Sequence, residues 1–246
     1  SSEEYGRLQQ LINTYQYHLS KNVEKNKYYE GQISLNDVNL GIALPDGLRR
    51  LEIGCAWGAK AVDVLAARSM FDGFVGVNGE DVEELDKIAE SNDLIAEYMK
   101  ATRDELKYGC TFATLSRDET IGCKIRFHSP QTAAALWDGE KGRISCGFAI
   151  IDSVPDNDNT NNWNPSLIYY YKDQSVWVLS RKDNIWTAYE YRHKMGRPLM
   201  EPLIWNATSN KPFGRSRIKE PVRRLIDGYV RKIANATIGL EFATSP

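Results

Sequence analysis

The sequence predicts an α+β fold: a helical N-terminal layer packed on an antiparallel β meander, with an amphipathic helix at the C-terminal end. Three observations predict it. Apolar residues recur at helical steps as far as Leu106, short β-rich runs replace them after Gly109, and helical spacing returns beyond residue 217. With 42% apolar residues in 246, the chain has ample material for a buried core.

In the first layer, Leu8, Leu11, Ile12, Tyr15, Leu19 and Val23 fall on one helix face, and Gly31 marks the end of that helix. Turn signals from Gly41 to Gly47 precede the short apolar run Leu51-Glu-Ile-Gly. Ala59, Val62, Leu65, Ala66 and Met70 then form a second helical face, and a longer helical stretch runs from Val82 through Leu85, Ile88, Ile95, Tyr98 and Met99 to Leu106. Trp57, Val62, Leu65 and Phe74 are expected in the core. The β runs lie at 111–115, 124–128, 143–151, 166–171, 176–179 and 185–191. Turns such as Asp138-Gly139, Lys172-Asp173 and Lys182-Asp183-Asn184 separate them by too few residues for crossover helices, so one mainly antiparallel sheet is expected. The Asn- and Asp-rich stretch 155–163 lacks the spaced ligands and closing Glu of a calcium loop, and reads as a solvated, mobile hairpin connection without metal.

A helix over about 217–236 carries Ile218, Val222, Leu225, Ile226, Tyr229 and Ile233 as its apolar stripe, with Pro221 in its first turn. Arg223, Arg224, Arg231 and Lys232 are read onto the opposite side together with Asp227, giving a basic face that is either merely solvated or meets a neighbouring acidic subunit or DNA. A contact between subunits is the favoured reading. These four residues are the candidate functional residues.

Composition narrows the chemistry. Thirty-three acidic against 31 basic residues leave a net charge of −2, so no whole-molecule attraction to nucleic acid or anionic membrane exists, and any DNA contact must be local. Cys55, Cys110, Cys123 and Cys146 are scattered without a CxxC pair, and with only His18, His128 and His193 beside them they read as small buried hydrophobes of a reducing compartment rather than zinc ligands or disulfides. No run approaches the ~20 apolar residues of a membrane span. The polar start is no signal peptide, and the chain reads as cytoplasmic. Ser1 in place of Met, and the helix-like run into Pro246, predict a fragment of a longer protein.

One motif points to an enzyme. Leu51-Glu-Ile-Gly-Cys-Ala-Trp-Gly58, followed by Gly73-Phe-Val-Gly-Val-Asn78, resembles the cofactor motif of S-adenosylmethionine methyltransferases, with Gly54, Gly58 and Asn78 around the cofactor. Ala56 replaces the middle glycine and Asn78 the ribose-binding acid, and the β meander after Cys110 departs from the alternating strands and helices of that fold. The histidines have no GxSxG or HExxH companion, and His128 reads as a strand-end residue rather than a base. No catalytic, cofactor or metal site is expected.

Five blocks in collinear order are instead similar to the portal proteins of tailed phages, in the Gp6-like family typified by phage SPP1. They are Tyr28-Tyr-Glu-Gly31; Trp57 with Ala61-Val-Asp-Val-Leu-Ala-Ala-Arg68 and Gly73-Phe74; Ala101-Thr-Arg-Asp-Glu-Leu-Lys-Tyr-Gly109; and Ser129-Pro130 with Gly142-Arg-Ile. The last is His193-Lys-Met-Gly-Arg-Pro-Leu-Met-Glu-Pro202 with Asn206, Gly214-Arg-Ser-Arg-Ile218 and Leu225-Ile-Asp-Gly-Tyr229. The resemblance implies that 1–210 is a wing-like α+β domain and 211–246 the start of a helix leading into a stem. It implies a structural subunit, without enzymatic activity, of a ring that is a dodecamer when full length, set at the capsid vertex of a virion and made in the host cytoplasm. The implied partners are further copies of itself, terminase, the major capsid or scaffolding protein, a head-completion connector, and double-stranded DNA passing without sequence specificity. No membrane is involved.

Overall fold

The computed structural model describes residues 2–34, 38, 52–77, 82–153 and 164–244. The expected turns at 41–47, Leu51, Asn78 and the 155–163 connection lie outside these residues. Helix α1 (Ser2–Glu30) turns one stripe inward through Leu11, Tyr15, Asn22 and Tyr28. Asn22 takes the place expected of Val23, which is exposed; the Asn22 amide donates to the Pro130 carbonyl at 3.4 Å, which lets a polar side chain sit there. The chain leaves α1 at Gly31 and pairs β1 (Ile33–Ser34) antiparallel with β2 (Glu52–Ile53). Helix α2 (Trp57–Ala66) buries Gly58, Val62 and Ala66.

The long stretch expected from Val82 to Leu106 is two helices, α3 (Glu83–Ser91) and α4 (Leu94–Tyr108). Asp93 breaks them with a left-handed backbone (φ 48°), while apolar spacing continues through the break. Asn92 has a use for the corner. Its amide donates to the Cys123 carbonyl and its oxygen accepts from the Ile125 N–H, both at 2.9 Å, so it satisfies backbone groups of strand β4 that no further strand among the described residues pairs.

Among the described residues every strand pairing is antiparallel, but the meander is two sheets rather than one. One has the order β10 (Met200–Ile204), β3 (Cys110–Asp118), β4 (Gly122–His128). The other runs in chain order through β5 (Ala133–Asp138), β6 (Arg143–Ser153), β7 (Pro165–Tyr171), β8 (Ser175–Lys182) and β9 (Ile185–Arg192). The turn at Ser129 to Thr132 separates the sheets: the Thr132 N–H and hydroxyl both close onto the Ser129 carbonyl, so β5 starts a new pairing with β6 instead of extending from β4.

Three clusters hold these layers together. α1 covers one face of the larger sheet, where Leu11 and Tyr15 meet Ala134, Cys146, Phe148, Ile150 and Tyr170. The smaller sheet covers the other face, with Cys110, Phe112 and Met200 against Ala133, Ala135, Ala149 and Tyr171. The third cluster is helical and joins Tyr28, Val62, Ala66 and Leu106 to Ile218, Ile226, Val230 and Ala234 of the last helix, α5 (Glu220–Thr244). Ile218 and helix α5 thus share a core with α1, α2 and α4.

Candidate functional site

Helix α5 sorts its side chains by angle, at roughly 100° per residue. Ile226, Val230 and Ala234, four residues apart, are fully buried and fix the inner face. Leu225, expected in the apolar stripe, is 65% exposed, and Ile233 lies near the boundary at 38%. The outer face therefore carries Arg224, Leu225, Arg231 and Lys232 together. Arg224 keeps only a local bond to Glu220 at 3.0 Å.

Arg223 does not belong to that face. Its guanidinium reaches inward to Glu24 of α1 at 2.9 Å and to Glu220 at 3.1 Å, above the ring of Tyr28. Asp227, also expected outside, accepts a hydrogen bond from the Tyr28 hydroxyl at 2.9 Å. Burial, reinforced by that carboxylate, pushes the Tyr28 phenol up, so the hydroxyl stays a donor. Both residues are drawn inward by partners on α1, far away in sequence.

Of the four expected core residues in and after α2, only Val62 is fully buried. Leu65 and Phe74 are half-buried, and Trp57 is 50% exposed because it lies on the helix flank against Tyr229, with ring centroids 5.4 Å apart. Gly58 is a packing residue: a Cβ there would meet the Tyr28 carbonyl oxygen at 2.0 Å, whereas a Cβ on Gly54 would meet no atom of the described residues within 4 Å. The backbone at Gly58 thus approaches α1 rather than a ligand, and β1–β2 is antiparallel where the methyltransferase fold requires parallel strands.

His128 ends β4, and its Nε2 lies 2.9 Å from the Thr114 hydroxyl; burial, with Arg126 nearby, pushes its pKa down to about 4. Cys55, Cys110 and Cys146 are buried free thiols. Burial pushes the Cys110 thiol up to about 12. No group of three His, Cys, Asp or Glu residues able to hold a metal occurs among the described residues.

A second basic surface, absent from the sequence reading, lies on the other side of α5. A cleft of about 630 Å³ runs between α1, strand β5 and the connector that precedes α5. Lys21 and Lys25 of α1, Lys211, Arg215 and Lys219 of the connector, and Arg223 of α5 line it. The connector is pinned to the end of α4, where the Ser216 hydroxyl donates to the Lys107 carbonyl and the Arg217 N–H to the Leu106 carbonyl at 2.8 Å, and to the residue after β10, where the Arg215 N–H donates to the Trp205 carbonyl at 2.9 Å. Gly214 permits this, with φ at 71° and only 2.2 Å from a hypothetical Cβ to the Trp205 carbonyl oxygen. The signal was present in the sequence as basic residues four apart, Lys21/Lys25 and Lys211/Arg215/Lys219.

No protein-family model matches the chain, and no curated protein matches it.

Proposed function

We propose that the chain is part of a subunit of a phage portal ring, the channel through which DNA enters and leaves the capsid at one vertex. The observation that carries the reading onto the structure is the outer face of α5. There an exposed Leu225 lies among Arg224, Arg231 and Lys232, a mixture suited to a contact between protein subunits rather than to water alone. The collinear sequence blocks supply the family. Strand β9 adds a second surface: it ends its sheet, is exposed at every residue, and presents Ile185, Trp186, Tyr189 and Tyr191. Such an edge favours association with a further copy.

In this reading the chain works mechanically. It closes a ring by head-to-tail contacts, docks terminase, capsid or scaffolding protein and connector, and passes duplex DNA. A net charge of −2 keeps attraction to the polyanion weak, and strong phosphate binding at the channel wall would slow translocation. Charge reversal at Arg224, Arg231 and Lys232 in the intact subunit, followed by native mass spectrometry and electron microscopy, tests the assignment. Loss of rings from the variant supports a subunit contact. Intact rings with altered packaging move these residues to the DNA. Absence of rings from the unsubstituted subunit overturns the portal reading.

A further inference from the structure

We propose that the cleft between α1, β5 and the connector binds a phosphate-bearing ligand, through Lys21, Lys25, Lys211, Arg215, Lys219 and Arg223. The inference concerns a different surface from the outer face of α5 and stands whether or not the portal reading does.

Charge comes first. Among the described residues, no carboxylate forms an ion pair with Lys21, Lys25, Lys211, Arg215 or Lys219. Glu24 and Glu220 are the acids on hand, and both are engaged by Arg223, Glu220 by Arg224 as well. The cluster thus gathers cations in excess in a chain whose acids outnumber its bases. Crowded like charges oppose one another until a counter-charge arrives, which makes such a cluster a functional rather than a stabilising feature.

Hydrogen bonding points the same way. Lys25 is half-buried and holds its ammonium with neutral acceptors only, the Asn22 side chain at 3.2 Å and the Tyr108 carbonyl at 3.1 Å. Burial, and then the charges of Arg223 and Lys21, hold this amine below its usual range. The Nε atoms of Arg215 and Arg223 are buried and without a hydrogen-bond partner. Both arginines line the cleft beside its lysines, and the phosphoryl group, with several acceptor oxygens, matches the planar fork of arginine better than a single carboxylate oxygen does.

Shape limits the ligand. A volume of about 630 Å³ falls within the range of small-molecule sites. Ala133, Ala134 and Phe213 give the cleft apolar walls beside its cations. A phosphate carried on an apolar or aromatic body fits this division, as in a nucleotide or a single-stranded end, and a rigid duplex does not.

Inorganic pyrophosphate and a short 5′-phosphorylated single-stranded oligonucleotide are the probes, titrated at low salt with melting temperature and calorimetric affinity as readouts. Both Lys211 and Lys219 are exposed, so the K211Q/K219Q pair tests the site without disturbing the core. Pyrophosphate is expected to raise the melting temperature. The pair should weaken its binding about tenfold or more, while R224Q/K232Q on the outer face leaves it within about twofold. Displacement of pyrophosphate by the oligonucleotide identifies nucleic-acid phosphates as the source; pyrophosphate binding without displacement identifies a free phosphorylated molecule. Absence of any shift with either probe overturns the proposal, as does unchanged affinity in K211Q/K219Q or an equal loss in R224Q/K232Q.

Discussion

Adjacent residues on α5 give a sharp test of how the helix docks. Ile226 is fully buried among Tyr28, Val62 and Leu106, while Leu225 is 65% exposed. Truncating Ile226 to alanine removes three buried carbons, worth about 2 kcal/mol in transfer free energy at roughly 0.8 per carbon. The cavity left among α1, α2 and α4 raises the expected loss to about 3 kcal/mol, within the range of about 2–5 for such truncations. Leu225→Ala at an exposed position should stay within about 0.5 kcal/mol. Urea unfolding reads both: I226A lowers the midpoint with an unchanged slope, and L225A leaves midpoint and slope alone. In a chain of this size the Ile226 loss corresponds to a fall of about 6–12 °C in melting temperature. Equal effects, or a larger effect from Leu225, would mean that α5 docks by another face, and the assignment of Arg224, Arg231 and Lys232 to a free surface would fall with it.

Three further outcomes follow from the packing. Gly58→Ala should cost about 1–3 kcal/mol, because its Cβ would strike the Tyr28 carbonyl, while Gly54→Ala costs nearly nothing; S-adenosylmethionine should leave the melting temperature unchanged, and a rise would revive the methyltransferase reading. For His128, a folded pKa of about 4 against an ordinary 6.5 means that the fold holds the ring neutral. Its contribution, at most about 3 kcal/mol, is complete above pH 6.5 and declines as pH falls towards 4. H128Q should flatten the pH dependence of the urea midpoint in that window, and an unchanged slope would refute the assignment. Asn92→Ala removes both bonds to the edge of β4 and should cost about 2–3 kcal/mol, read by the same unfolding curves; a loss below about 0.5 would show that water replaces the amide at no cost.

Periodicity revealed what packs by pattern and missed what packs by circumstance. Helix α1 and strands β6 to β9 were legible because their apolar residues keep one spacing over several turns or pleats. Strand β5 escaped because Ala133, Ala134 and Ala135 are all buried, between α1 on one side and the smaller sheet on the other, and such a run has neither alternation nor β-branched residues to announce it. Pro202 hid β10, since proline argues against a strand; here β10 ends its sheet, where a missing N–H is tolerated. The division into two sheets rests on hydrogen bonds around Ser129 that no hydrophobic pattern encodes. Among the candidate residues, Arg224, Arg231 and Lys232 were legible on the outer face, whereas the position of Arg223 depends on Glu24 and Tyr28 at the far end of the chain.

That misplacement alters the meaning of the basic residues on α5. Arg223 and Arg224 adjoin in sequence but point about 100° apart, one towards the cleft and α1, the other outward. A net charge of −2 conceals two basic surfaces on either side of one helix, and the helix is held between them by Ile226, Val230 and Ala234. The surfaces answer to different perturbations. Reversing Arg224 changes an exposed charge that has a single local partner, whereas reversing Arg223 also sets a carboxylate against Glu24 and Glu220 and strains the join of α5 to α1. A variant carrying both changes would lose assembly for either reason. Substitutions at Arg224, Arg231 and Lys232 without Arg223 isolate the outer face, and K211Q/K219Q isolates the cleft, so that charge effects on assembly and on anion binding separate.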